Sequence, residues 1–209
     1  MTSTRISGTE GYAEATDALV EQWQEISFAD SHRPVLHLIP TVPGTVLDIG
    51  AGIGVDAAAF AAMGHRVVAV EPTDAFRKAG MARNPSAAIE WLDDSLPDLA
   101  LLMTGSEKFD LVMLTGVWMH LDEAPRRQAM PRVASLVREG GLMIMSLRHG
   151  LVPAGRRMFE VSGDETIALA RAQRLDLVLN LRTESIQAAN RHAGVTWTWL
   201  AFAKGSDIP

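Results

Sequence analysis

Apolar residues recur in two rhythms along this chain. Short apolar runs bounded by glycine, proline or an acid alternate with stretches whose apolar residues return every three or four positions. Tyr12, Leu19, Trp23 and Ile26 fall at helical spacing, which predicts a first helix with one apolar stripe. A second short helix is expected next, capped by Asp30 or Ser31, with Pro34 in its first turn and Pro40 as its stop. Past Pro43-Gly44 the texture changes. Thr45–Ile49 reads as a strand buried on both faces, and the Ala-rich stretch Val55–Met63 as a helix closed by Gly64. Arg66–Val70 is a second strand, after which Thr73 can cap a helix through Arg83.

The alternation continues with a strand at Ala88–Leu92, a short helix over Pro97–Met103 and a strand at Phe109–Leu114. Asp122 can cap the next helix, in which Pro131 predicts a kink or break and Gly140-Gly141 the end. Leu142–Leu147 is a fifth strand, and Asp164–Gln173 a helix. The tail holds two β-rich runs, Leu175–Leu181 and Val195–Phe202, without a convincing helix between them. Alternating β and α elements give an α/β class: a Rossmann-like, doubly wound, mostly parallel sheet with a C-terminal antiparallel edge hairpin. N-terminal helices over residues 1–43 form a cap, and 44–209 the main domain, in one structural domain overall.

Composition narrows the function. A chain of 209 residues with 47% hydrophobic and 21% charged residues can build a full core, which argues against disorder. Its 19 Lys and Arg against 25 Asp and Glu leave a net charge of −6, so no nucleic-acid partner is expected. Zero cysteines exclude a disulfide scaffold, a Cys-ligated zinc site and thiol catalysis. No stretch approaches ~18 uninterrupted apolar residues and the start lacks a signal-like apolar core, so the expectation is a cytoplasmic protein with no membrane partner.

In an open α/β sheet, ligands bind beyond the first strand, where strand order reverses. Here that place reads Asp48-Ile49-Gly50-Ala51-Gly52-Ile53-Gly54. Glycines let the backbone turn sharply and let a ligand approach without a β-carbon in the way. Gly52, Gly54 and Ala57 also satisfy the G-x-G-x-x-A pattern of a dinucleotide site, and Glu71 follows 17 residues past Gly54. That acid could take the ribose hydroxyls of a dinucleotide or of another adenosine-bearing cofactor. Two features separate these readings. Asp48 would repel a pyrophosphate but attract an ammonium group. Asp93-Asp94-Ser95, after the third strand, adds acceptors where an adenine amino group would lie. Three acidic positions around one pocket suit a cationic cofactor without phosphates.

These segments resemble the class I S-adenosylmethionine-dependent methyltransferases. VLDIGAGIG is similar to their glycine-rich motif, VVAVEP to the ribose-binding motif and WLDDSLP to the adenine-side motif. FDLVMLTGVWMHL resembles the fourth strand with its loop, and LVREGGLMIMSLRHG the helix, Gly-Gly and strand that follow. The resemblance spans about Val46 to Arg148 and implies S-adenosyl-L-methionine as cofactor and a seven-stranded sheet. It implies that Gly50, Ala51, Gly52 and Gly54 lie beneath the methionine part, with Asp48 near its ammonium group. Glu71, followed by Pro72, would hold the ribose. Asp93 or Asp94, with Ser95, would face the adenine amine, the register open by one residue. Thr115, Gly116 and Val117 would pass next to the sulfonium.

Methyl transfer is an in-line displacement, so loops set the acceptor and the fold does not. Carbon-5 cytosine methylation needs a cysteine that is absent, and Leu114-Thr115-Gly116-Val117 lacks the Pro-Pro-aromatic signature of amino-methylating DNA enzymes. Asp122 alone falls short of a metal-binding acid cluster, so no metal is expected. What remains near the strand ends is basic: His120, Arg148, His149, Arg156 and Arg157, with His32 and Arg33 on the second helix. His120, Arg148 and His149 are the catalytic candidates, for a small acceptor that is anionic or hydroxyl-bearing. Two other classes stay open: a catalytically silent S-adenosylmethionine-binding regulatory module, and a nicotinamide-dependent oxidoreductase. The latter would want a Tyr–Lys type of proton relay, and the single tyrosine, Tyr12, precedes the first strand.

Overall fold

Parallel strands covered on both faces must be apolar at almost every position. In the computed structural model, which describes residues 8–12, 14–24 and 26–205, β1 (Thr45–Ile49) meets that demand, with Val46, Leu47, Asp48 and Ile49 all buried. Leu47 and Ile49 face one core together with Val68, Val70, Val112 and Leu114. Val46 faces the other, with Val67, Ala69, Leu111 and Met113. Asp48 is the one acid within this apolar run, and it sits at the strand end where the ligand crevice opens.

The remaining strands are β2 (Arg66–Val70), β3 (Ile89–Leu92), β4 (Phe109–Leu114), β5 (Val137–His149), β6 (Leu175–Glu184) and β7 (Thr196–Lys204). Described helices are α1 (Thr16–Gln24), α2 (Phe28–Ser31), α3 (Val55–Ala62), α4 (Asp74–Arg83), α5 (Glu123–Leu136), α6 (Gly163–Arg171) and α7 (Ala188–His192). They flank one seven-stranded sheet of order β3-β2-β1-β4-β5-β7-β6. β1 pairs in parallel with β2 on one side and β4 on the other, so the order reverses beside β1. That is the switch point at which such sheets bind ligands. β7 runs antiparallel between β5 and β6, so the expected tail hairpin is present, with the one-turn α7 inside it.

Several boundaries depart from the sequence reading, each for a local reason. α1 begins at Thr16, leaving Tyr12 ahead of the helix. α2 is capped by Ser27, whose hydroxyl accepts from the Asp30 amide at 3.3 Å, rather than by Asp30 or Ser31. Pro34 disfavours helical geometry in the residue before it, so the helix stops and a 3₁₀ turn follows at Leu36–Leu38. Pro97–Met103 likewise gives turns and a 3₁₀ segment at Leu102–Thr104 instead of a helix. α5 runs through Pro131 unbroken, because Arg126, Ala129, Met130, Val133 and Ala134 bury its inner face and outweigh one lost backbone bond. β5 starts at Val137, ahead of Gly140-Gly141, and those glycines lie beside a shift in the β4–β5 register. Among the described residues no helix is long and apolar enough to cross a membrane.

One charged contact joins the helical layer. Arg126 on α5 forms a forked pair with Glu165 on α6, with nitrogen–oxygen distances of 2.9 to 3.2 Å, and donates to the Leu121 carbonyl at 2.7 Å. The arginine side chain is 6% exposed and the glutamate 26%. Removing one partner of a buried pair leaves the other charge uncompensated. Arg126→Ala is therefore expected to lower unfolding stability by about 2–3 kcal/mol, somewhat less than a fully buried pair because Glu165 keeps some water. Urea denaturation measures this; an unchanged midpoint would show the pair to be dispensable.

Candidate active site

After β1 the chain enters a loop with Gly50 at φ +75° and Gly52 at φ +56°, conformations that side-chain-bearing residues rarely adopt. The Gly50 and Ala51 amides both donate to the Val70 carbonyl, at 2.8 and 2.9 Å, pinning the loop to the end of β2. A β-carbon on Gly50 would collide with Val117, and one on Gly52 would meet the Trp23 ring at 3.3 Å. The loop is thus a narrow cradle between the β4 loop and the N-terminal helix. Gly54 closes it, also at positive φ, as the residue before α3.

Three carboxylates gather around this cradle. Asp48 is 1% exposed, and its Oδ2 is buried without a hydrogen-bond partner. Glu71, at the end of β2, is 6% exposed and accepts from the Gly52 amide at 2.9 Å and the Thr73 amide at 2.7 Å, one on each oxygen. Asp56, in the first turn of α3, accepts from the Thr115 hydroxyl at 2.9 Å. Burial pushes the Asp48 carboxyl well above its ordinary 3.8, and the neighbouring Asp56 and Glu71 charges push it the same way, against one backbone bond from Ala57. Burial also raises Glu71, partly offset by the Thr73 and Gly52 bonds and by Arg77. Arg77 ties this side together: it donates to the Glu71 carbonyl at 2.7 Å and to Asp93 at 2.9 Å.

The two aspartates after β3 have different fates. Asp94 is 7% exposed and accepts from the Ser95, Leu101 and Leu102 amides at 2.9, 2.8 and 3.1 Å, so its carboxylate is consumed by the turn. Asp93 is 62% exposed, held only at its edge by Arg77. Pro72 and Ser95 are half-buried beside these acids.

His32 on the segment after α2 lies against Asp56, with Nε2 3.0 Å from Oδ2, while its Nδ1 lies 3.0 Å from the Phe28 carbonyl. Both ring nitrogens face acceptors, so the ring must carry two protons, and it is 1% exposed. Burial works against that charge, but Asp56 and the Phe28 carbonyl outweigh it and raise the pKa above 6.5. Phe28 stacks on the ring at 4.3 Å. The N-terminal segment is thereby bolted to the start of α3 and, through Thr115, to the end of β4.

The basic residues split into two places. His120 Nδ1 lies 2.8 Å from the Arg157 carbonyl and its Nε2 lies 3.0 Å from the Tyr12 hydroxyl. Burial lowers its pKa below 6.5, as do the Arg156 and Arg148 charges, against the pull of the Arg157 carbonyl. Arg156 covers the Tyr12 ring at 3.8 Å, and Arg148 donates to the Leu151 carbonyl at 2.8 Å. His149 is elsewhere: its Nε2 meets Thr198 at 2.8 Å, and its charged neighbours are Arg182 and Glu160. So the structure brings His120 and Arg148 into one neighbourhood and leaves His149 out of it. Trp118 is fully buried core, and Val117 packs against the Gly50 backbone. Sequence reading missed Asp56, Arg77 and the placement of Tyr12. An acid in the first turn of α3 looks like ordinary helix-dipole chemistry, and no periodicity reveals which remote partner it meets.

Known proteins share part of this sequence and its fold. A family described as "Methyltransferase domain" matches residues 46–141. The glycine N-methyltransferase of Oryctolagus cuniculus is 28% identical, over 78% of this chain, and the chain spans 59% of that relative's length. Among solved structures, the 1,6-didemethyltoxoflavin-N1-methyltransferase of Burkholderia thailandensis superposes with a TM-score of 0.72 at 22% identity, covering 93% of this chain and 86% of that one. The N-methyltransferase NodS of Bradyrhizobium japonicum WM9 gives 0.68 at 17% identity, covering 88% and 91%. At these identities the structural likeness establishes the fold: a Rossmann-like methyltransferase sheet.

Two expectations follow from the charges. Asp48 has a raised folded-state pKa, so its contribution to stability is present below about the unfolded value and lost as pH rises through the folded one. At neutral pH the ligand-free protein bears that penalty. Asp48→Asn, similar in shape but uncharged, should therefore raise ligand-free stability by about 1 kcal/mol in urea denaturation, and a lower midpoint would contradict it. His32 is also raised, so the stabilisation from its pair with Asp56 is complete below 6.5 and fades as pH climbs through the folded value. His32→Gln should flatten that part of the stability–pH curve; parallel curves for the two proteins would rule the pairing out.

Proposed function

We propose, from the match of residues 46–141 to a methyltransferase-domain family and the resemblance of its motifs to class I S-adenosylmethionine-dependent methyltransferases, that this chain binds S-adenosyl-L-methionine and transfers its methyl group to a small acceptor, anionic or hydroxyl-bearing. The observation that carries the reading is the orphaned, buried Oδ2 of Asp48 under a glycine cradle, with Asp56 and Glu71 beside it. A buried carboxylate without a partner is costly, and a cationic ligand relieves it where a pyrophosphate would worsen it. S-adenosylmethionine, when bound, supplies an electrophilic methyl on a positively charged sulfur together with an ammonium group.

The chain's own residues divide the work. Asp48 would face the ammonium group from below the loop formed by Gly50, Ala51, Gly52 and Gly54. Each Glu71 oxygen accepts one amide bond, and the carboxylate would turn its remaining accepting capacity to the ribose hydroxyls. Asp93, whose carboxylate remains at the surface, is better placed than the consumed Asp94 to accept from an adenine amine. Thr115 and Val117 line the edge of the cradle where the methyl would emerge. The described part of the N-terminal segment would act as the cap, with Trp23 laid on Gly52 and His32 locked to Asp56, and would exclude water from the displacement. Arg148, on the opposite side, gives the acceptor half a positive field, with the His120 ring beside it, and His149 has no part in it. The toxoflavin-precursor and glycine N-methyltransferases, both named for small acceptors, support a small acceptor here.

Thermal shift with S-adenosylmethionine, S-adenosylhomocysteine and NAD tests this directly, because a ligand that binds only the native state raises its melting temperature. The adenosyl ligands should stabilise and NAD should not; the reverse pattern would sink the proposal. Binding without methyl transfer to any member of a library of small acids and phenols would favour a silent regulatory module. Glu71→Ala should weaken S-adenosylhomocysteine binding roughly ten- to a hundredfold by calorimetry, the loss of hydrogen bonds to a charged acceptor.

A further inference from the structure

We propose that Tyr12 and Arg156 complete the acceptor site: Arg156 holds the carboxylate of a small hydroxy or amino acid, and the Tyr12 oxygen takes the proton of its nucleophilic O–H or N–H. This rests on the methyl-transfer reading above and adds to it two residues and the chemical class of the acceptor. The hydrogen-bond polarity comes first. A carbonyl only accepts, so His120 Nδ1 must donate to Arg157 across 2.8 Å. In the neutral ring Nε2 is then the acceptor, and the Tyr12 hydroxyl, 3.0 Å away, must donate to it. Tyr12 therefore has its proton already committed and its oxygen lone pairs free to accept another.

Arg156 supplies the second observation. Its guanidinium covers the Tyr12 ring at 3.8 Å, and its Nη1 is buried without a hydrogen-bond partner. Buried guanidinium N–H groups are almost always paired, so the partner comes from outside the chain. Among the described residues no carboxylate forms an ion pair with Arg156. Glu10 is taken by Arg157 at 3.4 Å and by the Gly8 amide at 2.6 Å. Among the described residues neither Arg148 nor Arg156 has an ion pair. An anion entering here meets two uncompensated arginines, in a protein whose net charge is −6.

Position is the third. The Tyr12 ring lies 6.0 Å from Phe76 and 6.3 Å from Trp23, and the Trp23 ring rests on Gly52 of the cofactor cradle. Tyr12 thus stands on the border between the acidic half of the site and the basic half. As the acceptor heteroatom forms its bond to the methyl carbon, the methyl–sulfur bond breaks and its electron pair stays on sulfur. The proton displaced from the heteroatom goes to the Tyr12 oxygen while Tyr12's own proton moves to His120 Nε2, and the imidazolium later returns it to solvent.

Tyr12 is the chain's single tyrosine, so ring-¹³C-tyrosine labelling yields one resonance that reports this residue alone. The probe is benzoate, with benzamide as its neutral counterpart, added to the S-adenosylhomocysteine complex. Benzoate should shift the Tyr12 signal and benzamide should not. Arg156→Gln should bind benzoate at least tenfold more weakly, and Arg156→Lys should fall between, with S-adenosylhomocysteine affinity unchanged in both. The lysine variant also serves where the glutamine variant fails to fold. Benzoate that leaves Tyr12 unmoved, or that binds Arg156→Gln as well as wild type, overturns the anion site. Nitrogen-15 spectra of His120 test the relay: the Nδ1–H tautomer is expected, and an Nε2–H tautomer overturns it. Failure of S-adenosylhomocysteine to bind the wild type would instead count against the methyl-transfer reading.

Discussion

A carboxylate buried at the end of the first strand with nothing to neutralise it organises this molecule. Asp48 interrupts an apolar run whose other members are fixed by the demands of a two-faced core, and burial drives its pKa up. Neither neighbour eases the cost, since Asp56 and Glu71 are acids too. The surroundings are built to tolerate it. Glu71 is held by backbone amides and flanked by Arg77, and Asp56 is paired to a buried imidazolium. Only Asp48 keeps an unanswered oxygen. Stability has been given up at the point proposed to hold a cation, which is how binding sites commonly depart from the rules that shape the rest of a fold.

The second consequence is a polarised site. Its β1–β2 side is acidic and its β4–β5 side basic, a polarity that fits the proposed pairing of a cationic cofactor with an anionic acceptor. Tyr12 and Trp23 bridge the two halves with aromatic surface, Trp23 against Phe76 at 5.2 Å and Tyr12 against His120 at 5.3 Å. The described N-terminal segment therefore packs directly into the proposed site. Its anchor, the His32–Asp56 pair, ties the position of the segment to the same acids that surround the cofactor cradle.

Much of the sheet could be read from the chain. β1, β2 and β4 have the expected boundaries because buried parallel strands are continuous apolar runs and glycine or proline marks their ends. The glycine loop, Glu71 and the alternation of elements were legible for the same reason: each is a local pattern with a local cause. Errors gathered where tertiary packing overrides local preference. Pro131 lies within a continuous helix because the buried face of α5 outweighs one lost bond, and Gly140-Gly141 became part of an irregular strand.

The sequence by itself thus determined the α/β topology, the switch point and the acidic character of the cofactor side, since these follow from periodicity, glycine placement and charge along the chain. Only the tertiary structure decided which of Asp93 and Asp94 stays accessible, because the adjacent Ser95 amide and two amides from a later turn capture Asp94. It alone separated His149 from His120 and Arg148, joined His32 to Asp56, and set Tyr12 against a histidine 108 residues away. Such pairings depend on where remote segments come to rest in space, and one-dimensional spacing carries no record of that.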